Sequence, residues 1–246
     1  MKIFPLSEGS FTIDHTKVFM PFDPLVDQLQ DRPRGSLLVE IQPFLVVTDN
    51  DIVLLDTGLG FSKNVILQII ENISAIGYSS TDVTKVLMSH LHRDHAGGLI
   101  LRETYSNKPY LTFPNAQHFI NRRELEFAQS GSSSSYDKDY FSSLAQFDKV
   151  QLIDGHGQID DYITYEISSG HSPFHQVFWL REGEQVVFFG GDEAPQLQQM
   201  RTRFVAKYDA DGKRAMELRQ KWWIEAENQH WTILFYHDIK TPSVSF

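Results

Sequence analysis

A layered α/β fold, with two sheets packed together and covered by helices, is what this sequence predicts, and three observations predict it. Short apolar runs bounded by turn residues recur along the chain. Two longer segments carry the three- and four-residue apolar spacing of amphipathic helices. These segments interleave with the runs in the order strands, helix, strand, mixed elements, strand pairs, helix and strand. With 246 residues, 41% of them hydrophobic, one domain over residues 1–246 is expected, near the upper size for a single hydrophobic core.

Each element follows from local pattern. SLLVEI (Ser36–Ile41), PFLVVT (Pro43–Thr48) and DIVLLDTG (Asp51–Gly58) read as strands, and Asp49–Asp51 suggests a hairpin turn between the last two. From Ser62 to Ile76 the residues Val65, Ile66, Ile69, Ile70, Ile73 and Ile76 recur at helical intervals, and Gly77 supplies a stop. Lys85–Ser89 is a short buried strand that delivers the chain into the polar cluster HLHRDHAGG. PYLTF and AQHFIN follow as strand-like pieces, then a helix over Arg122–Gln129 and a serine-rich loop over Ser130–Tyr140. Strand character returns in YITYEISS, VFWL and QVVFFGG, with Arg181–Glu184 as a turn. A helix over about Asp209–Asn228 leads to a last strand, TILFYHD.

Composition removes several classes of function. Acidic residues outnumber basic ones, 32 against 22, for a net charge of −10, and no Lys/Arg run builds a stripe that tracks phosphates. Nucleic acid is not an expected partner. Cysteine is absent, which excludes disulfides and leaves nitrogen and oxygen as the metal ligands available. The N-terminal segment lacks a basic stretch followed by an apolar one, and no run of about 18 apolar residues occurs, so a cytoplasmic protein with no membrane partner is expected.

The chemistry is concentrated after the strand Lys85–Ser89. His90, His92, Asp94 and His95 spell H-x-H-x-D-H. Alternate residues of an extended segment share a face, so His90 and His92 can point at one ion. A turn into a helix near His95 would carry Asp94 and His95 toward a second, with Gly97 and Gly98 permitting close backbone approach. Four ligand-type residues within six positions after a buried strand favour a metal site over a merely histidine-rich loop.

HLHRDH resembles the signature of the metallo-β-lactamase fold superfamily, which implies a four-layered αββα sandwich with its metal site at one edge of the sheets. The other family motifs have counterparts in order: LLDTG (Leu54–Gly58), GHSPFH (Gly170–His175), FGGDE (Phe189–Glu193) and FYHD (Phe235–Asp238). The resemblance implies one ion on His90, His92 and His171, another on Asp94, His95 and His237, and Asp192 bridging them. Asp94 and Asp192 would then be the carboxylates serving the reaction, with a metal-bound hydroxide as nucleophile. Asp56 would orient a ligand, and His175 would support the site without ligating. Zinc is the first expectation for the two divalent ions, with manganese, iron and cobalt open to the same donors. His15, His118, His156 and His230 lack ligand spacing and are expected at the surface or at caps.

Two departures from the family pattern stand out. Phe174 occupies a position that is commonly small, which would make the pocket wall bulkier. Pro195 lies three residues after Asp192, where related lactonases often place a tyrosine that hydrogen-bonds the substrate carbonyl. Another group must then serve as oxyanion helper.

Substrate class follows by comparison within the family. Only nine residues follow His237, unlike the glyoxalase-type thioesterases, which add a helical region there. The net charge argues against the nucleic-acid-processing branch. What remains is the compact branch of quorum-quenching lactonases and of organophosphate or aryl-ester hydrolases acting on small molecules. Lactone or ester cleavage is the expectation, with phosphoester hydrolysis as the alternative on the same site. Persulfide dioxygenase-like chemistry on one iron is a further alternative, against which the intact Asp94, His95 and His237 speak. Phe19 and Phe22, in the Phe-rich segment Val18–Leu29, and Phe174 are expected to line the substrate pocket, and Tyr140–Phe147 could form a lid. The same apolar segments also suit ordinary packing or a homodimer contact.

Overall fold

In the computed structural model, which describes residues 1–246, the alternation of apolar residues along each strand builds two central sheets with distinct inner and outer faces. The first sheet runs Lys2–Pro5, Phe44–Val47, Ile52–Leu55, Lys85–Leu87, Gln117–Asn121, Val150–Ile153. The second runs Gly157–Ile159, Ile163–Ile167, Gln176–Glu182, Gln185–Phe189, Trp231–Leu234, Ser243–Ser245. Val46, Val53 and Leu55 of the first face Phe178, Leu180, Val187 and Phe189 of the second, forming the core between the sheets. The residues of opposite parity point outward. Leu45, Leu54 and Val86 meet Ile69, Ile73 and Leu125 of helices Gln68–Ala75 and Arg122–Gln129. Val177, Trp179 and Phe188 meet Trp222 and Ala226 of the helix Gly212–Gln229. Two sheets with helices on both outer faces make the αββα sandwich that the resemblance implied.

Parallel pairing decides where the chain delivers its polar motifs. Ile52–Leu55 and Lys85–Leu87 run parallel with Leu55 opposite Leu87, so Asp56 emerges beside Ser89 and the His90 loop. In the second sheet Gln185–Phe189 and Trp231–Leu234 also run parallel, with Phe189 opposite Leu234. Asp192 and His237, each three residues past that register pair, therefore leave the sheet at the same edge. Gly97 and Gly98 do allow a close approach: a Cβ on either would stand 2.1–2.2 Å from the carbonyl oxygen of Leu59 or Thr57.

Several local readings need correction. The helix expected over Ser62–Ile76 begins only at Gln68. Val65 is 98% exposed, so an earlier turn would have no apolar contact to offset the cost of nucleating it. The helix expected from Asp209 begins at Gly212, capped by the Asp211 carboxylate, which accepts from the Arg214 N–H. Phe19–Phe22 is a strand of a separate three-stranded sheet with Gly9–Ile13 and Leu37–Ile41. Tyr140–Gln146 is no lid: Phe141 and Leu144 are buried in the core, and the Tyr140 hydroxyl is bonded to Ile100 and Gly97. His230 does cap a helix, in the left-handed conformation at φ 55°.

His118 departs most from its expected surface or capping role. It is fully buried on Gln117–Asn121, and neither ring nitrogen has a hydrogen-bond partner. Burial pushes its pKa down from 6.5 to about 4. Between those values the unfolded chain binds a proton that the folded chain excludes, so stability is lost as pH falls through that window. His118→Leu is expected to recover up to about 3 kcal/mol relative to wild type at pH 4 and much less at pH 7, read from denaturant titrations. Equal shifts at both pH values would contradict the assignment.

Candidate metal centre

The edge where these motifs converge gathers His90, His92, His171 and Asp192 into one group and Asp94, His95 and His237 into another, with the potential ligand atoms of each group within 4.8 Å of one another. Asp192 stands between them. Its Oδ2 lies 3.2 Å from His171 Nε2, and its Oδ1 lies 3.1 Å from His95 Nε2 and 3.0 Å from His237 Nε2. Asp94 Oδ2 approaches His237 Nε2 at 3.5 Å, and His92 Nδ1 lies 3.1 Å from His171 Nε2.

The imidazoles are held by their other nitrogens. Asp56, fully buried at the end of Ile52–Leu55, accepts from His95 Nδ1 at 2.7 Å, from the Ser89 N–H at 2.7 Å and from the Ser89 hydroxyl at 2.6 Å. Asp209 Oδ1 lies 2.9 Å from His171 Nδ1, and the Glu40 carbonyl accepts from His237 Nδ1 at 2.6 Å. His175, placed beside the cluster as expected, accepts the Asp192 N–H on Nε2 at 3.1 Å and meets the Ser168 hydroxyl through Nδ1. Tyr236 stacks on His95 with centroids 3.9 Å apart and donates its hydroxyl to the Asp94 carbonyl at 2.6 Å. The buried Glu193 accepts the Gly170 and His171 N–H groups and so fixes the loop that carries His171.

The donor set fits divalent transition ions. His90 Nε2, His95 Nε2 and Asp192 Oδ1 are buried without a hydrogen-bond partner, and each such orphan costs about 1–3 kcal/mol unless something else pairs with it. Burial, then the neighbouring imidazoles, holds His90 well below the ordinary histidine range, and burial leads the same depression at His92. Both are therefore neutral, as metal ligation requires. Burial opposes ionisation of Asp192, but His237, His95 and His171 hold its carboxyl well below the usual range.

A cavity of about 650 Å³ opens onto this cluster, with His92, Asp94, His171, Asp192 and His237 at its floor. Ile13, Phe19, Leu37, Val39 and Val205 form an apolar wall. Of the three phenylalanines expected there, only Phe19 lines it. Phe22 is three positions along the same strand, so the two-residue alternation turns it to the other face, where it is buried. Phe174 instead packs edge-on against Phe127, with centroids 6.1 Å apart.

Sequence reasoning did not find Asp209 or Tyr208. Asp209 is 38 residues from His171 and lay within an expected helix, so no spacing marked it. Tyr208 lines the cavity with its ring 6.1 Å from that of His171, and its hydroxyl accepts from Gln199 Nε2 at 3.4 Å.

Comparisons with known proteins agree with this geometry. Residues 40–237 match the family described as the metallo-beta-lactamase superfamily. N-acyl homoserine lactonase AttM of Azorhizobium caulinodans is 31% identical over 128 residues, 46% of this chain and 41% of that protein. This chain thus spans about two fifths of the length of that curated relative. An N-acyl homoserine lactonase of Bacillus cereus is 26% identical over 197 residues, 71% of this chain and 68% of the other. Among solved structures, a probable metal-dependent hydrolase from Staphylococcus aureus superposes with a TM-score of 0.79 at 22% identity, covering 99% of this chain and 91% of that one. AidC, described as a dizinc quorum-quenching lactonase, gives 0.73 at 20% identity, with 98% and 88% covered.

Proposed function

The chain belongs to the metallo-beta-lactamase superfamily, and on that premise we propose that it is a hydrolase holding two divalent transition-metal ions and cleaving a lactone or carboxylic ester. The observation that carries this reading is the placing of Asp192, whose two oxygens face separate groups of imidazoles. His90, His92 and His171 would hold one ion and Asp94, His95 and His237 the other, with Asp192 reaching both. Such ions supply a Lewis acid and a water acidified toward neutrality. Zinc suits the nitrogen and oxygen donors, which manganese, iron and cobalt share.

The chain's own residues orient and supply protons. Asp209, Asp56 and the Glu40 carbonyl hold Nδ1 of His171, His95 and His237, so each ring presents Nε2 to the centre. Because Gln199 donates to the Tyr208 hydroxyl, the phenolic proton is free to be given to a substrate oxygen. Burial pushes its pKa up to about 12, which keeps that proton in place at neutral pH. Tyr208 thereby offers, from a different loop, the donor that Pro195 cannot. The wall of Phe19, Leu37 and Val39 suits an acyl arm, and the relatives named as N-acyl homoserine lactonases support a lactone as substrate.

The test is a panel of lactones and esters of increasing acyl length. Each methylene taken into the apolar wall is worth up to about 0.8 kcal/mol, so kcat/KM should rise up to about fourfold per methylene until the wall is filled. Phe19→Ala should flatten that rise while Phe22→Ala leaves it in place. Turnover of phosphotriesters with none of lactones or esters would overturn the substrate assignment and leave the metal centre standing.

A further inference from the structure

Three cations on the cavity lining have no ion-pair partner in the molecule. Lys17, Arg93 and Lys207 all border the cavity, and none of their charged groups has a carboxylate within 4.0 Å or a hydrogen-bond acceptor. Their position is set by their neighbours. Arg93 directly follows His92, Lys207 lies two residues before the Asp209 that holds His171, and Lys17 lies in the hairpin between Gly9–Ile13 and Phe19–Phe22. All three border the one cavity whose floor is the ligand cluster, Lys17 and Lys207 each lying two residues from a member of its apolar wall, Phe19 and Val205.

The backbone at Lys17 points the same way. It sits at φ 60° in the hairpin between Gly9–Ile13 and Phe19–Phe22, a left-handed conformation that costs a non-glycine residue about 1–2 kcal/mol. The turn is enforced by Asp14, whose carbonyl accepts the Lys17 N–H at 3.1 Å and whose carboxylate accepts the Thr16 N–H and hydroxyl at 2.8 and 2.6 Å. That carboxylate is thus committed to its own turn. The other two carboxylates on the lining, Asp94 and Asp192, belong to the ion-binding set.

We propose that Lys17, Arg93 and Lys207 form an anion subsite beside the reacting carbonyl, and that the preferred substrates are esters or lactones bearing a carboxylate or phosphate close to the scissile bond. This rests on the hydrolase reading above and narrows its substrate class. Unpaired cations in a cleft with apolar walls attract an anion more strongly than they would in open solvent, and a guanidinium or ammonium on the lining can donate to its oxygens directly. The acyl arm would lie along Phe19 and Leu37 while the anion meets the three cations.

The experiment uses the full chain after metal reconstitution, with monophenyl succinate, its neutral methyl ester and a phenyl ester carrying a phosphate in place of the carboxylate. At low salt at least one anionic ester should exceed the neutral one about tenfold in kcat/KM, and the margin should shrink several-fold as ionic strength rises to about 0.3 M. The two anionic arms tell carboxylate from phosphate. Lys17→Gly, which suits the left-handed turn, combined with Lys207→Gln should bring the ratio close to one. Succinate binding by calorimetry should weaken about fivefold or more in the same double variant. A wild-type ratio of one or below, or a ratio and succinate affinity untouched by the double variant, overturns the subsite. If no ester or lactone is cleaved at all, the lactone-or-ester reading fails, and the succinate measurement still decides the subsite.

Discussion

Asp192→Ala is expected to lower kcat/KM on the best ester or lactone by about 1,000-fold or more, a loss of about 4 kcal/mol of transition-state stabilisation. The variant removes the one side chain that lies within 3.2 Å of imidazoles from both ligand groups. Metal content is the independent readout. Wild-type protein purified without chelator should approach about two transition-metal ions per chain, and the variant about one or fewer. His230→Gly is the control, because glycine keeps the left-handed helix cap and His230 touches no ligand. A fully reconstituted wild type holding no more than one ion would sink the dinuclear reading and favour single-iron chemistry.

The second large effect is expected at Asp56. Its carboxylate satisfies three buried donors at once, two from Ser89 and one from His95. Asp56→Ala leaves all three unpaired and places alanine at φ 57°, a left-handed conformation that it tolerates poorly. A loss of about 3–5 kcal/mol in denaturant-induced unfolding is expected, with a 10- to 100-fold weaker metal affinity. Asp56→Asn adopts left-handed backbone more readily and keeps an acceptor, so it should recover much of the stability and less of the metal affinity. Equal recovery of both would mean that Asp56 acts only as a turn former.

Local pattern made part of this molecule readable because its signals are short in sequence. The helix Arg122–Gln129 coincides with its expectation, since Asn121 caps it from the adjacent position by accepting from Arg123 and Glu124. The strand Lys85–Leu87 lies where its apolar run placed it, and the His90–His95 cluster follows at once. Where local pattern failed, a distant contact had decided the matter. Val65 and Ile66 continue a helical spacing but find nothing to pack on. Phe22 shares the composition of Phe19 and is turned away by strand parity. His118 carries no mark that separates a buried histidine from an exposed one.

By itself the sequence determined the alternation of strands and helices, the absence of cysteine ligands, and the motifs whose family order implied Asp192 and the six residues around it. Those properties reside in adjacency and period, which every segment of chain carries with it. Tertiary structure alone decided that Asp209 would hold His171, that Tyr208 would line the cavity beside that ring, and that Lys17 and Lys207 would border the same cavity. Lys17 and Lys207 are 190 positions apart, and their placement on one cavity depends on sheet register, on the hairpin at Lys17 and on the packing of the loop before Gly212–Gln229. Such convergence is a property of the whole assembled core, and no window of sequence contains it.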